Sequence, residues 1–286
     1  MSSPGERHAR GQILSLCWGS VPGGSLFDLA EAAAGVNIAA ISVTPGQVLD
    51  ALDAGTPAEA RRRLDDLGVR VTSIDPLISP VPGTPTPHEV EPRKRALFEA
   101  SQEDCWRAAE AVGAQTVNFT HFLGAPRSPD AMRDALTHLV GRNSAHGLAS
   151  TFEFIPGTAV PDLAAAATLT RDIADFTILF DTWHFARSNG RIEDIDALPP
   201  CAIGGVQIND WLPSDPGAPY VPMAGRLMPG DGCLPLADIL ARIEANSSGL
   251  EVGIEVFNAD LERMDRREAV RTLVCKSQPY LAGQAS

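Results

Sequence analysis

The sequence predicts a single-domain (β/α)8 barrel, also called a TIM barrel, over residues 1–286. Eight short apolar runs with strand character alternate with eight longer stretches of helical spacing. The runs are apolar on both faces, which is typical of a parallel sheet covered by helices. A doubly wound open sheet is the structural alternative, but no strand is followed by the Gly-x-Gly-x-x-Gly turn that would supply its dinucleotide site.

The predicted strands are short and mostly apolar. They cover residues 12–18, 36–43, 69–77, 116–122, 149–155, 177–183, 203–209 and 251–257. The predicted helices have periodic apolar positions and charged faces. They cover residues 26–34, 57–67, 94–112, 129–147, 162–173, 192–198, 236–244 and 260–276.

Two long segments lack periodicity and are predicted to be loops. The Pro-rich segment 79–92 follows the third strand, and the segment 211–232 follows the seventh. In a (β/α)8 barrel both would overhang the C-terminal mouth, where barrel enzymes carry their chemistry. Residues 1–10 are predicted to be a flexible N-terminus.

The composition excludes several classes of protein. The chain has 44% hydrophobic and 21% charged residues, as an ordinary globular protein does. Its 23 basic and 36 acidic residues give a formal net charge of −13, which repels nucleic-acid phosphates and anionic membranes. We therefore expect a small-molecule substrate, no nucleic acid and no membrane, with a homodimer or homotetramer left open.

The cysteines indicate a reducing compartment. There are five, an odd number, and none shows the Cys-x-x-Cys spacing of a disulfide framework or zinc knuckle. The first apolar run is too short for a membrane-spanning helix. The expected location is the cytoplasm.

Four polar residues occur near the ends of apolar runs five to eight. They are Glu153, Asp181, Gln207 and Glu255. A carboxylate inside an apolar strand is costly unless a cation or hydrogen bonds compensate it, so three such carboxylates call for a shared partner. Strands five to eight of a barrel converge at the mouth, and oxygen donors suit hard cations. The sequence therefore predicts one divalent metal ion, Mn²⁺ or Mg²⁺, with Co²⁺ as a third candidate.

The chain resembles the xylose isomerase-like barrels, the group of sugar phosphate isomerases and epimerases related to AP endonuclease family 2. The resemblance covers nearly the whole chain. It is carried by Phe-Glu153-Phe, Phe-Asp181-Thr-Trp-His184, Val-Gln207-Ile-Asn-Asp210, Arg226-Leu-Met-Pro-Gly-Asp-Gly232 and Gly-Ile-Glu255-Val.

The resemblance implies roles for six residues. In the ketose 3-epimerases of the group, the matching Glu, Asp, His and Glu bind the metal, and both glutamates act as acid and base. Glu153 and Glu255 would take both roles here, with Asp181 and Gln207 completing the metal site. By the same resemblance, His184 and Arg226 would contact substrate oxygens.

Two departures from the family pattern matter. Gln207 stands where the family commonly has His, and an amide oxygen makes the metal site harder. The ketose epimerases also have a second Glu six positions after the first, where this chain has Ala159, so a free ketohexose is less favoured. The Gln resembles the 3-dehydroshikimate dehydratase branch. A dehydratase of that type or of the inosose type therefore stays open as the alternative.

The predicted chemistry is proton abstraction next to a carbonyl group. A metal on a carbonyl oxygen and a neighbouring hydroxyl would stabilise an enediolate. Reprotonation by the second glutamate then gives epimerisation or isomerisation, and expulsion of a β-hydroxyl gives dehydration.

Five further residues are weaker candidates. His121 at the end of strand four, Trp18 and Trp211 are predicted to contact substrate. Asp75 at the end of strand three is interpreted as a turn residue, and Asp210 as a group that orients a ligand or Arg226.

Two other functional classes remain. An endonuclease IV-type hydrolase would need a histidine-rich metal cluster, which six scattered histidines and the charge do not favour. A non-catalytic metal- or sugar-binding barrel shares the fold and is not excluded by it. No phosphate cradle is visible, so phosphorylated sugars are less favoured, and the substrate itself stays open.

Overall fold

A computed structural model describes residues 13–213, 223 and 225–281. Eight parallel strands pair in sequence order and close into a barrel, β1 hydrogen-bonding to both β2 and β8. This confirms the predicted TIM barrel. The strands are β1 (Ile13–Cys17), β2 (Ala40–Val43), β3 (Arg70–Leu77), β4 (Thr116–Thr120), β5 (Ala149–Glu153), β6 (Phe176–Asp181), β7 (Ile203–Ile208) and β8 (Glu251–Ile254).

Twelve α-helices in the described residues surround the barrel. They are α1 (Leu26–Ala34), α2 (Pro45–Asp53), α3 (Pro57–Leu67), α4 (Ala96–Glu99), α5 (Gln102–Val112), α6 (Pro129–Ala145), α7 (Leu163–Thr170), α8 (Thr182–Arg187), α9 (Ile192–Asp196), α10 (Leu236–Asn246), α11 (Ala259–Arg263) and α12 (Arg266–Leu281). None of these is long and apolar enough to cross a membrane.

Two of these helices are absent from the sequence prediction. Helix α2 begins at Pro45 behind a capping box in which Thr44 and Gln47 satisfy each other's backbone N–H groups. Helix α8 begins at Thr182, because the Asp181 side chain caps it; the predicted strand 177–183 therefore ends two residues early.

Two predicted helices are each divided in two. The predicted helix 94–112 consists of α4 and α5, since Ala100 is extended and Ser101 caps a new helix. The predicted helix 260–276 consists of α11 and α12, because Met264 is extended. The predicted strand 36–43 begins only at Ala40, since Asn37 has a positive φ of 61° and continues the turn after α1.

The Pro-rich segment 79–92 is a long connection after β3, as predicted, with a short 3₁₀ helix at Pro87–Glu89. The predicted loop 211–232 follows β7, and its residues 214–222 and 224 lie outside the described residues, as does the predicted flexible N-terminus. Both connections belong to the end of the barrel at which the strands finish.

The hydrophobic core lies mainly between the barrel and its helices. Phe119, Phe152, Phe154 and Phe180 are fully buried there, and Phe154 meets Phe180 edge-on at 5.9 Å between ring centroids. The barrel interior is different: small and polar residues such as Ser15, Ser42 and Gly253 line a cavity beneath the mouth. The core therefore supports the strands from outside, and polar side chains occupy their inner face.

Candidate metal and acid–base site

Three polar side chains meet where β5 and β6 end. One ligand atom each of Glu153, Asp181 and His184 lies within 4.8 Å of the other two, and all three residues are buried. Glu153 Oε1 lies 3.2 Å from His184 Nε2. Glu153 ends β5, Asp181 ends β6, and α8 starts directly after Asp181 and carries His184 to them.

Asp181 is held by four hydrogen bonds. Its Oδ1 accepts the backbone N–H groups of Trp183 at 2.7 Å and His184 at 2.9 Å, which are orphan donors at the start of α8. Its Oδ2 accepts Asn209 Nδ2 at 3.0 Å and Arg226 Nη2 at 3.2 Å. Burial alone would raise the pKa of Asp181, but Arg226 and His184 hold that pKa below its usual value.

Arg226 brings a buried positive charge into the same site. Its Nη2 lies 3.2 Å from His184 Nε2 and 3.5 Å from Glu255 Oε2, in addition to its contact with Asp181. The guanidinium carbon lies over the rings of Trp183, at 5.0 Å, and Phe257, at 4.8 Å. Two carboxylates thus share one guanidinium group.

The loop around Arg226 is anchored by Asp210 and Asn258. The Asp210 backbone pairs with Leu227, and its carboxylate accepts the N–H groups of Gly230 and Leu234. Asn258 Nδ2 donates to the Arg226 carbonyl oxygen at 3.0 Å. Asp210 therefore contacts the backbone of the loop that carries Arg226, and the predicted role of orienting a ligand or Arg226 stays a prediction.

Glu255 follows β8 and is a buried carboxyl group of the site. Burial raises its pKa well above the usual value; Arg226 opposes this rise, while the negative charges of Glu153, Asp75 and Asp181 add to it. The pKa values of Asp181 and Glu255 are thus shifted in opposite directions although both side chains contact Arg226.

Gln207 lies level with Asp181 in the register of β6 and β7. Its Nε2 donates to Asp75 Oδ2 at 3.2 Å, and Asp75 Oδ1 accepts Asn118 Nδ2 at 2.7 Å. The other amide atom, Gln207 Oε1, is buried and has no hydrogen-bond partner in the described part of the chain. A buried acceptor without a donor is suited to a cation or a water molecule.

Asp75 is not the turn residue that the sequence indicated. It is 3% exposed, its side chain reaches both the mouth cavity and the cavity below, and it contacts Gln207 and Asn118. Burial and the charge of Glu153 raise its pKa to about 7, against the hydrogen bond from Asn118. The interpretation failed because an Asp before Pro is typical of turns, whereas here Asp75 is still part of β3.

The site opens into a cavity at the mouth, where about 430 Å³ of space, including solvent that is open to the outside, lies between the side chains. Trp18 lines it and packs edge-on against Phe257 at 5.2 Å between ring centroids, and its contact with substrate stays a prediction. The described lining residues are Trp18, Asp75, Pro76, Ile78, Leu97, Thr120, Phe122, Glu153, Ile155, His184, Met223, Arg226, Glu255 and Phe257.

Two predicted substrate contacts are not brought to this cavity. His121 accepts the backbone N–H of Ala159 at its Nδ1 and packs against Gly124; its neighbours Thr120 and Phe122 face the cavity instead, because side chains alternate along an extended chain. Trp211 is not among the described lining residues, and its carbonyl oxygen accepts the N–H of Cys233.

The donor set fits a hard divalent ion. Three buried carboxylates, from Glu153, Asp181 and Glu255, gather in one site. Gln207 pairs with Asp181 in the strand register, lines the cavity beneath the mouth and has a buried amide oxygen without a partner in the described residues. The predicted ligands are thus all buried side chains of neighbouring strand ends, and their role as ligands stays a prediction.

Sequence reasoning missed three residues that hold the site: Asp75, Asn118 and Asn209. Asn209 bonds Asp181, and Asn118 bonds Asp75. One signal was available, since Asp75 closes an apolar strand as the four predicted ligands do. Asn118 lies inside a strand and Asn209 follows one, where polar side chains give no comparable pattern.

The model of the xylose isomerase-like TIM barrel family matches residues 27–274 of the chain. Among curated proteins, none matches the sequence.

Several solved structures share the fold at low sequence identity. The IolI protein with a bound zinc atom superposes with a TM-score of 0.80 at 15% identity, over 94% of this chain and 98% of its own. A D-psicose 3-epimerase reaches 0.69 at 14% identity, over 95% and 100%. A probable 3-DHS dehydratase, AsbF of Bacillus anthracis, reaches 0.68 at 15% identity, over 92% and 99%. At such low sequence identity, these similarities show a shared fold and do not show a shared function.

Proposed function

This chain belongs to the xylose isomerase-like TIM barrel family, and on that premise we propose that it is a divalent-metal-dependent isomerase or epimerase. Its substrate would be a hydroxy ketone or sugar-like compound, and the reaction would move a proton on the carbon next to the carbonyl group. Glu153, Asp181, Gln207 and Glu255 would hold the ion. Mn²⁺ and Mg²⁺ suit these oxygen donors best.

One observation carries this proposal: the two glutamates stand at the two ends of a row of contacts. Glu153 meets His184 at 3.2 Å, His184 meets Arg226 at 3.2 Å, and Arg226 meets Glu255 at 3.5 Å. All four side chains line the mouth cavity. Two carboxyl groups separated by two hydrogen-bond donors are the parts that a two-base proton transfer requires.

Each of the four side chains in this row would have a role in moving the proton. One glutamate removes the proton from the carbon next to the carbonyl group, and the other returns a proton to the same carbon or to its neighbour. Arg226 and His184 lie between them and can donate to the substrate oxygen on which negative charge develops. When bound, the ion would supply Lewis-acid stabilisation of that charge.

A dehydratase is the second candidate, and Gln207 is the residue that favours it. Gln207 offers an amide oxygen where the family commonly has a histidine, which by family resemblance favours the dehydratase branch. In such an enzyme one of the two glutamates would protonate the hydroxyl group that leaves as water.

Proton exchange in D₂O separates these functions. Mn²⁺-loaded protein is incubated with a panel of hydroxy ketones and followed by NMR and ultraviolet absorbance. Deuterium next to the carbonyl group supports the isomerase or epimerase, and a conjugated enone supports the dehydratase. The exposed Glu262→Gln variant is the control and should behave as the wild type. If the protein binds the metal but forms neither product, the result would contradict both enzymes and support a non-catalytic binding protein.

A further inference from the structure

The mouth cavity is polar on one side and apolar on the other. Its charged groups are gathered around the row of contacts from Glu153 to Glu255. The rest of the described surface consists largely of aliphatic and aromatic side chains. We name six of these the apolar wall: Trp18, Ile78, Leu97, Phe122, Ile155 and Phe257.

The apolar wall is built into the fold. Ile78, Phe122 and Ile155 are each at most 5% exposed and belong to one packed cluster, which Leu97 joins from α4. Phe122 stacks on Phe98 with 5.9 Å between ring centroids. Since these side chains are fixed by their packing, a ligand meets a preformed surface and does not have to create it.

Such a surface discriminates between two kinds of substrate. Apart from the indole N–H of Trp18, the six side chains carry no hydrogen-bonding atom. A hydroxyl group pressed against them gives up water without gaining a partner, which weakens binding. A CH₂ group buried there strengthens binding about fourfold, because its transfer from water is favourable.

We propose that the substrate combines a hydroxy-ketone head with an apolar ring or alkyl chain. The head meets Glu153, His184, Arg226 and Glu255, and the apolar body lies on the apolar wall. This inference rests on the proposed function for the chemistry of the head. It narrows the substrate class away from free sugars, which carry a hydroxyl group on nearly every carbon.

Two ligands that share a hydroxy-ketone group and have opposite bodies test the proposal. Phenylacetylcarbinol and erythrulose both carry a secondary hydroxyl group next to a ketone. On that carbon they differ in a phenyl ring against a hydroxymethyl group, and on the other side of the carbonyl group in a methyl group against a second hydroxymethyl group. Calorimetry with Mn²⁺-loaded protein gives both dissociation constants without requiring turnover. We expect phenylacetylcarbinol to bind at least about thirtyfold more tightly, given the number of carbon atoms that the ring buries. Equal affinity, tighter binding of erythrulose or no binding of phenylacetylcarbinol would overturn the proposal.

Two variants test whether the phenyl ring binds on the apolar wall. Leu97→Ser introduces a hydroxyl group into the apolar wall. It should weaken the binding of phenylacetylcarbinol about tenfold and should not weaken the binding of erythrulose. Leu212→Ser makes the same change at a leucine that is 52% exposed and outside the described cavity lining, and should alter neither affinity. An unchanged affinity in Leu97→Ser would place the phenyl ring elsewhere and overturn the proposal.

Deuterium exchange keeps this inference separate from the proposed function. Tight binding of phenylacetylcarbinol without proton exchange in any ligand would support the apolar wall and contradict the isomerase. Rapid exchange in erythrulose without binding of phenylacetylcarbinol would support the isomerase and contradict the apolar wall as a substrate site.

Discussion

Gln207 and Asp75 face each other inside the barrel, with Gln207 Nε2 donating to Asp75 Oδ2 at 3.2 Å. The amide nitrogen of Gln207 is thus occupied by Asp75. The amide oxygen, Oε1, is buried and has no hydrogen-bond partner in the described residues, so it is the Gln207 atom that could face a cation. Asn118 Nδ2 donates a hydrogen bond to Asp75, and Asn118 Oδ1 accepts one from Thr151 Oγ1 at 2.9 Å.

Replacing Asp75 should weaken metal binding although Asp75 is not a predicted ligand. Asp75→Ala removes the acceptor that orients Gln207, and loss of such an orienting group typically costs about 10- to 100-fold in metal affinity. Mn²⁺ titration by calorimetry measures this. The exposed Asp66→Ala variant on α3 is the control. Equal Mn²⁺ affinity in the two variants would contradict an orienting role.

The stability of the metal-free protein should depend on pH through Asp75. The folded-state pKa is raised to about 7, against about 3.9 in an unfolded chain. This carboxyl group therefore stabilises the fold fully below about pH 4, and its contribution is lost as pH rises through about 7. Asp75→Asn cannot ionise, so it should gain stability relative to wild type between these values. Urea unfolding with chelator present gives the difference, and parallel curves for the two proteins would contradict the assignment.

Metal removal should abolish activity and leave the fold intact. The core packs between the barrel and the helices around rings such as Phe152 and Phe180, and it needs no ion. Chelator treatment should therefore leave the circular dichroism spectrum unchanged, and added Mn²⁺ or Mg²⁺ should restore turnover. Full activity in a rigorously metal-free sample would contradict metal dependence.

The glutamate variants should separate metal binding from proton transfer. Glu255→Gln keeps an oxygen donor and removes the acid–base group, so Mn²⁺ should bind more weakly while turnover falls roughly 10²-fold or more. Glu153→Gln should behave in the same way. Near-normal rates in both variants would mean that other groups carry the protons, with His184 the next to examine.

Gln207→His changes only the type of donor. An imidazole nitrogen should shift the metal preference from Mg²⁺ towards Co²⁺ and Zn²⁺, and part of the activity should remain. Competition between Mg²⁺ and Zn²⁺, followed by calorimetry, measures the shift. An unchanged preference would mean that residue 207 does not bind the ion.

Arg226 should stabilise the metal-free protein more than the metal-loaded one. Its guanidinium group contacts both Asp181 and Glu255 in a buried site, and removing one member of a buried ion pair costs about 3 kcal/mol. A bound ion would supply positive charge in its place, so Mn²⁺ should reduce the loss in Arg226→Gln. Arg263→Gln, in an exposed pair with Asp260, is the control. If Arg226→Gln loses the same free energy of unfolding with and without Mn²⁺, the ion does not take over the charge of Arg226.

The fold was readable from the sequence because its signals are local. Apolar runs of strand length, helical spacing and the alternation of the two are properties of neighbouring residues. Glu153 and Asp181 were recognisable for the same reason, since each closes an apolar run and strand ends of a barrel meet at one mouth. The helix at Pro45 also had a sequence signal, the capping box Thr44-Pro-Gly-Gln47. The prediction missed it because one helix per strand was expected.

The direction of individual side chains was decided only in the tertiary structure. One position along a strand turns a side chain to the opposite face, so Asp75 points into the barrel and His121 away from the cavity. Arg226 is far in sequence from the carboxylates it joins, and closure of the barrel brings them together. The sequence by itself determined which residue types stand at the strand ends, whereas contacts between distant strands determined which of them share hydrogen bonds and charge.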